Sequence, residues 1–265
     1  MVDFRGASAG AVSALTDQLK AAGSVEGLAG ELYSVAGLLR NEPALRRFLA
    51  DPTVATEAKT GLVGQVFGGK VSAPAADLLK SVAEQRWTSA GDVPNAVERL
   101  SEVATVLGVG DHRALVDDLF GIGRTINGNP ELRDALSDPT RTTEDRAGLL
   151  KNVLGTAVSP AALSLAQQSL GGSYGSVPKA LESYRRLAAD VNGEGVATVT
   201  VAAPLTEEQS TRLAAALGKL YKRAIHTNTV IDPALLGGVK VEIGDDVIDG
   251  TIASRLDEAG RLLAG

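Results

Sequence analysis

Few residues of this chain have the types and spacing to do chemistry: the pair Gly237-Gly238, the carboxylates Asp245, Asp246 and Asp249, and the histidines His112 and His226. Paired glycines can cradle a phosphate, but a phosphate loop continues into Gly-Lys-Ser/Thr and a helix. Here Val239, Val241 and Ile243 alternate behind the pair as a strand does, so Gly237-Gly238 reads as a tight turn or a point of close packing. Neighbouring carboxylates can bind a metal or share a proton. The acidic run lacks the spaced ligands of a calcium loop; Gly244-Asp245-Asp246 reads as a turn, and Asp249 as the start of a last helix. The two histidines are too far apart in sequence to suggest a metal site, and there is no cysteine. With no coherent nucleophile–base pair, metal cluster or phosphate loop, the sequence predicts no catalytic, cofactor-binding or metal-binding residue.

The elements that would position any site follow from composition. Of 265 residues, 44% are apolar but only 3% aromatic, so Ala, Leu and Val must fill the core through many small contacts. The net charge of −6 argues against a nucleic-acid partner. No stretch reaches the roughly 18 uninterrupted apolar residues of a membrane span, and Met1 to Gly6 lacks the pattern of a signal peptide. No direct membrane insertion is expected.

An internal repeat organises the first two-thirds. Residues 28–87 match residues 115–174 without a gap, with 19 identities in 60 pairs. Pro43, Asp51-Pro52-Thr53, Gly61, Gly68 and Val71-Ser72 recur as Pro130, Asp138-Pro139-Thr140, Gly148, Gly155 and Val158-Ser159. Leu28, Leu32, Val35 and Leu39 have helical spacing, as do Leu115, Leu119, Ile122 and Ile126. Four helices are predicted in each copy: 28–41, 55–69, 73–88 and 94–107, then 115–127, 143–154, 160–170 and 178–190. A further helix is predicted at 8–21. Thr142 with Asp145 has capping spacing, and Ser159-Pro160 is a start signal. Gly121 and Gly123 fall inside a helical pattern and could allow close helix approach, whereas Gly171-Gly172 reads as a flexible joint. Trp87 and Tyr174 occupy equivalent positions, as core or as partner anchors.

From Gly195 the period changes. Gly195 to Val201 alternates as a strand, Thr206 caps a helix with Leu213, Leu217 and Leu220 on one face, and strands follow at 225–231, at 239–243 and from Val247. A last amphipathic helix uses Ile252, Leu256, Ala259 and Leu263. These elements predict a small sheet covered on one side, with Leu236 buried. The fold class is mostly α with a small α/β part: a duplicated helical-bundle module followed by a C-terminal mixed-sheet α/β domain. The expected divisions are 1–112, 113–190 and 191–265.

The run Ile231-Asp232-Pro233-Ala234-Leu235-Leu236-Gly237-Gly238-Val239, then Gly244-Asp245-Asp246-Val247-Ile248-Asp249-Gly250-Thr251 and Arg255-Leu256, strongly resembles the C-terminal signature of the δ subunits of bacterial F-type ATP synthases, called OSCP in mitochondria. Glu31-Leu32, Pro43-Ala44-Leu45 and Lys59 to Val63 resemble that family's helical domain, as do Asp118-Leu119, Pro130-Glu131-Leu132 and Arg146 to Leu150. An ordinary member has one helical domain; the second copy makes this chain similar to the long actinobacterial form. Thr251 stands where many members have serine, which keeps a hydroxyl.

The resemblance implies a non-catalytic stator subunit that links the α3β3 head to a b-type peripheral stalk and resists rotor torque during proton-driven ATP synthesis. The implied partners are N-terminal segments of α subunits for the helical part and the stalk for the C-terminal domain. The implied location is peripheral, on the cytoplasmic face of the cell membrane. Of the two copies, 113–190 is expected on the head, because it directly precedes the C-terminal domain. A helical adaptor of another complex is the alternative that the repeats alone would allow.

Overall fold

The computed structural model describes residues 4–23 and 26–252. The chain folds as two compact units: residues 1–111 with 121–184, and residues 112–120 with 185–265.

The first copy of the repeat is preceded by α1 (Ala7–Ala22) and contains α2 (Leu28–Asn41), α3 (Pro43–Ala50), α4 (Thr56–Phe67), α5 (Ala73–Glu84) and α6 (Asp92–Leu107). The second repeats the order as α7 (His112–Gly128), α8 (Pro130–Ser137), α9 (Thr143–Leu154), α10 (Pro160–Gln168) and α11 (Val177–Val191). Each copy thus has five helices where four were expected. The additions, α3 and α8, are eight residues each and open with Pro43 and Pro130 at the first helical position. Proline there presets φ and gives up only an N–H that has no helical partner. Two turns are too short to display a hydrophobic period, so the prolines read as breakers alone.

The start signals expected at Thr142 and Ser159 hold, and Ser72 caps α5 in the same way. Ser72, Thr142 and Ser159 each accept a hydrogen bond from the backbone N–H three residues on, each cap being worth about 1 kcal/mol. The repeat reaches the turns as well. Asp51 Oδ1 accepts from the backbone N–H and hydroxyl of Thr53, and Asp138 Oδ1 from those of Thr140. Those bonds favour the ionised carboxylate, so both aspartates titrate below the usual carboxylate range. Equivalent positions are buried alike: Leu49 with Leu136, Val63 with Leu150, Ala75 with Ala162 and Leu78 with Leu165.

The other unit is built on a four-stranded sheet of β1 (Glu194–Val201), β2 (Ala224–Ile231), β3 (Val239–Ile243) and β4 (Asp246–Asp249), in the order β2-β1-β3-β4. β1 pairs parallel with β2 and antiparallel with β3, and β3 pairs antiparallel with β4. The helix α12 (Glu207–Tyr221) makes the crossover from β1 to β2, as a parallel pair requires. A capping box between Thr206 and Gln209 starts it. Leu217 packs with Ala197, Val199, Val201, Ile225, Val241 and Ile243 to form this unit's core, with Leu213 against it.

The expectation of a sheet covered on one side is corrected, because residues 112–120 and 185–191 cover the opposite face. There Arg185 stacks its guanidinium 4.8 Å from the Phe120 ring centre and donates to Asn228 Oδ1 at 2.8 Å. Asn228 Nδ2 donates to Asp117 Oδ1 at 2.6 Å, which also lies 2.7 Å from His226 Nε2. Polar residues on this face of β2 concealed its cover from a reading based on apolar alternation. The predicted last helix lies outside the described residues beyond Ile252.

Candidate functional site

Two stretches of the C-terminal signature meet in space. Leaving β2, Asp232 donates its backbone N–H to Val201 O at 2.8 Å and accepts at Oδ1 from Ala234 N at 2.9 Å. Pro233 is exposed in the loop that follows. Gly237 and Gly238 then run against Gly250 and Thr251: Ile252 N donates to Gly237 O at 3.1 Å, and Gly250 N donates to Val239 O at 2.9 Å. Gly238 has φ +87°, and a Cβ there would sit 2.4 Å from Gly250 O and 2.7 Å from Thr251 Cα. Only glycine satisfies both the dihedral and the approach.

Asp249 Oδ1 accepts from Thr251 N at 2.9 Å, and its hydrogen bonds with Thr251 hold its carboxyl below the usual range. Gly244 and Asp245 form the two-residue turn between β3 and β4. The signature is thus a clamp of turns, with Thr251 buried at its centre. Leu256 lies outside the described residues.

Around the clamp, apolar side chains face solvent. Leu236 is 74% exposed, Val247 58% and Ile252 46%, which corrects the expected burial of Leu236. Gly237 and Gly238, which follow it, both have positive φ. Exposed aliphatic side chains rimmed by polar turns suit docking rather than chemistry. Among the described residues, no three His, Asp or Glu are grouped to hold a metal ion.

A second constellation lies in the helical unit, and sequence reasoning missed it. Glu98 and Glu102 on α6 are buried, at 0% and 1% exposure, in a helix otherwise covered by Val93, Val97, Leu100 and Val103. Glu98 is paired with Arg40 of the first copy and accepts from Ser173 N of the second at 3.1 Å. Glu102 accepts from Arg99 at 2.9 Å and from the Tyr174 hydroxyl at 2.8 Å. Burial outweighs these partners and pushes the Glu102 carboxyl up to about 7. Burial likewise raises the Tyr174 hydroxyl. The signal was available: two carboxylates at i, i+4 in a helix with apolar residues on every side need cations or donors from elsewhere.

Gly171-Gly172 is part of that junction and not a flexible joint. A Cβ at Gly172 would lie 2.1 Å from Glu98 Oε1, and one at Gly171 would lie 3.0 Å from the Tyr33 hydroxyl. Gly121 and Gly123 are corrected too: nothing approaches the first within 4 Å, and the second meets Leu181 only at ordinary contact distance. Trp87 and Tyr174 are both core residues, at 8% and 9% exposure.

The chain matches the profile of the family described as "ATP synthase delta (OSCP) subunit" twice, over residues 12–107 and 102–263. The chain belongs to this family. "ATP synthase subunit delta" of Nocardioides sp. is 46% identical over 99% of this chain and 98% of its own length. The proteins of the same name from Streptomyces avermitilis and Kineococcus radiotolerans are 40% and 41% identical, over 96% and 97% of this chain and 93% and 95% of their own. The long form is therefore that of actinobacterial members. Membership makes the chain a non-catalytic stator subunit of an F-type ATP synthase, associated with the F1 head and the peripheral stalk. No helix among the described residues is long and apolar enough to cross a membrane.

Proposed function

We propose that the chain divides its stator duty by domain. Residues 191–265 grip a b-type stalk, residues 113–190 meet the N-terminal segments of α subunits on the α3β3 head, and residues 1–112 add a further copy along the connection. The observation that carries the stalk assignment is the exposed aliphatic group Leu236, Val247 and Ile252, held beside a clamp that no substitution at Gly238 would leave undisturbed. A stalk helix needs an aliphatic surface in a fixed position, and it needs no reactive group. The site residues Asp232, Pro233, Gly237, Gly244, Asp249, Gly250 and Thr251 act by holding that surface in place. Under this proposal the chain works at the cytoplasmic face of the cell membrane and touches the lipid only through its partners.

The test is affinity purification of tagged full-length chain from gently solubilised native membranes. Stoichiometric recovery of α, β and b-type subunits is expected, with Leu236→Asp losing the b-type subunit first. Recovery of none of them, from an extract containing intact synthase, would favour the free helical adaptor.

A further inference from the structure

The helix α6 belongs to both copies of the repeat. It closes the first copy as its last helix. The repeat register, carried back through α1, also sets α6 where α1 stands, as the opening helix of the second copy. In that register the buried residues Ala11, Leu15 and Leu19 of α1 become Glu98, Glu102 and Val106 of α6. Trp87 becomes Tyr174, and past Gly91, where the second copy is three residues shorter, Leu100 becomes Tyr184. Two seams are thus built on one plan and differ in chemistry. The first is closed at these positions by apolar side chains, and the Trp87 indole N–H turns away to Val82 O at 3.0 Å. The second has carboxylates in the same places. Packed apolar groups of similar volume often replace a buried ion pair without loss of stability, so packing does not account for the glutamates.

What they add is a seam that can titrate, and Glu102 is the group placed to do so. Its Oε2 accepts both from Arg99 Nη1 and from the Tyr174 hydroxyl, at 2.9 and 2.8 Å. Its Oε1 is buried and has no partner among the described residues, and the same holds for the hydroxyl oxygens of Ser173 and Tyr184 in the second copy. Tyr184 stands edge-on to Tyr174, with ring centres 5.5 Å apart. An ionised Glu102 leaves a buried anionic oxygen without a donor, which is costly. A proton on Oε1 removes the charge and makes that oxygen a donor. Glu98 differs, because Arg40 on α2 pairs with it and both of its oxygens accept from Ser173 N. Tyr33 on α2 reaches the cluster by donating to Gln168 O. Asp17 and Lys20 of α1, Arg47 of α3, and Asp77 and Glu84 of α5 are exposed, and α10 has no charged residue. Burial pushes the Glu102 carboxyl up to about 7, so it changes charge near neutral pH.

We infer that α6 carries a proton-operated latch between the two copies: with a proton on Glu102 Oε1 the seam against Tyr174 and Tyr184 is closed, and with the carboxylate ionised it opens while the first seam stays shut. The inference belongs to the chain itself and does not rest on the partner assignments. It gives the helical unit a stiffness that falls as pH rises. An opened seam exposes Glu102, which then titrates near 4.5. Opening therefore grows about tenfold per pH unit between that value and about 7, and levels off above it.

Hydrogen exchange of the full-length chain, followed by mass spectrometry and corrected for the pH dependence of exchange itself, measures the opening. Residues 168–184 report the latch, 7–22 the first seam and 194–201 the other unit. From about pH 5.5 to about pH 7.5 the protection of 168–184 should fall about twentyfold, while that of the other two segments is unchanged. Glu102→Gln, with a neutral side chain that can donate, should abolish the fall. Glu102→Leu, which restores the residue found at the first seam, should abolish it too. Constant protection of 168–184 in the wild-type chain, a fall that persists in either variant, or an equal fall in all three segments would each overturn the inference.

Discussion

A buried carboxylate makes the sharpest prediction at the level of single residues. Glu102 titrates near 4.5 when exposed and near 7 in the folded chain, because burial opposes its charge more than Arg99 and Tyr174 favour it. Between those values the folded state keeps a proton that the unfolded state has lost. Its contribution is therefore fully present below about pH 4.5 and is lost as pH rises through about 7. Relative to wild type, Glu102→Gln should gain stability on going from about pH 5 to pH 8, by roughly 3 kcal/mol if the whole shift is expressed. Urea denaturation at the two pH values measures it, and a gap that does not change with pH would show that Glu102 is ionised throughout. Gly238→Ala and Leu236→Asp separate clamp from surface. The first forces a Cβ to 2.4 Å from a carbonyl oxygen and should lower thermal stability. The second changes an exposed side chain and should leave stability within about 0.5 kcal/mol while weakening stalk binding. Loss of stability in the second, or none in the first, would reverse the roles assigned to them.

Helices and turns explain what was legible in the sequence and what was not. The repeat, the caps at Thr142, Ser159 and Thr206 and the four strands were readable, since each rests on neighbours in sequence. The signature residues were readable as turns, but Leu236 was misassigned because an apolar residue in a loop carries no period to say which way it faces. The short helices α3 and α8 escaped because two turns show no period, whereas the second cover of the sheet and the partners of the α6 glutamates, Arg40, Ser173 and Tyr174, lie far away in sequence. Gly171-Gly172 shows the point well, since Gly-Gly spells flexibility locally and becomes a close approach only when Glu98, more than seventy residues away, is placed beside it. Gly172→Ala should thus cost about 1–3 kcal/mol by overpacking. Gly61→Ala, on α4 with nothing within 4 Å of the added methyl, should instead gain about 0.5–1 kcal/mol. Thermal melts of the two variants check both, and destabilisation by both would mean that α4 is packed more tightly than described.

At the scale of the whole molecule, the chemistry that is missing from the sequence and the surfaces that are present in the fold agree on a connector. Duplication enlarged the helical part, and a buried polar junction ties residues 168–174 to α2 and α6 through Tyr33, Glu98, Ser101 and Glu102. That junction makes the two copies share one compact unit, a useful property for a part that must transmit torque without yielding. The central claim is that this chain carries force and performs no catalysis. Its most direct test is to remove the chain from membranes that contain the synthase and to measure proton-driven ATP synthesis beside ATP hydrolysis by the released head, before and after adding the purified chain back. The account predicts that synthesis is lost, that the head still hydrolyses ATP, and that re-addition restores synthesis. Synthesis undiminished without the chain, or a head that cannot hydrolyse ATP until the chain returns, would contradict it.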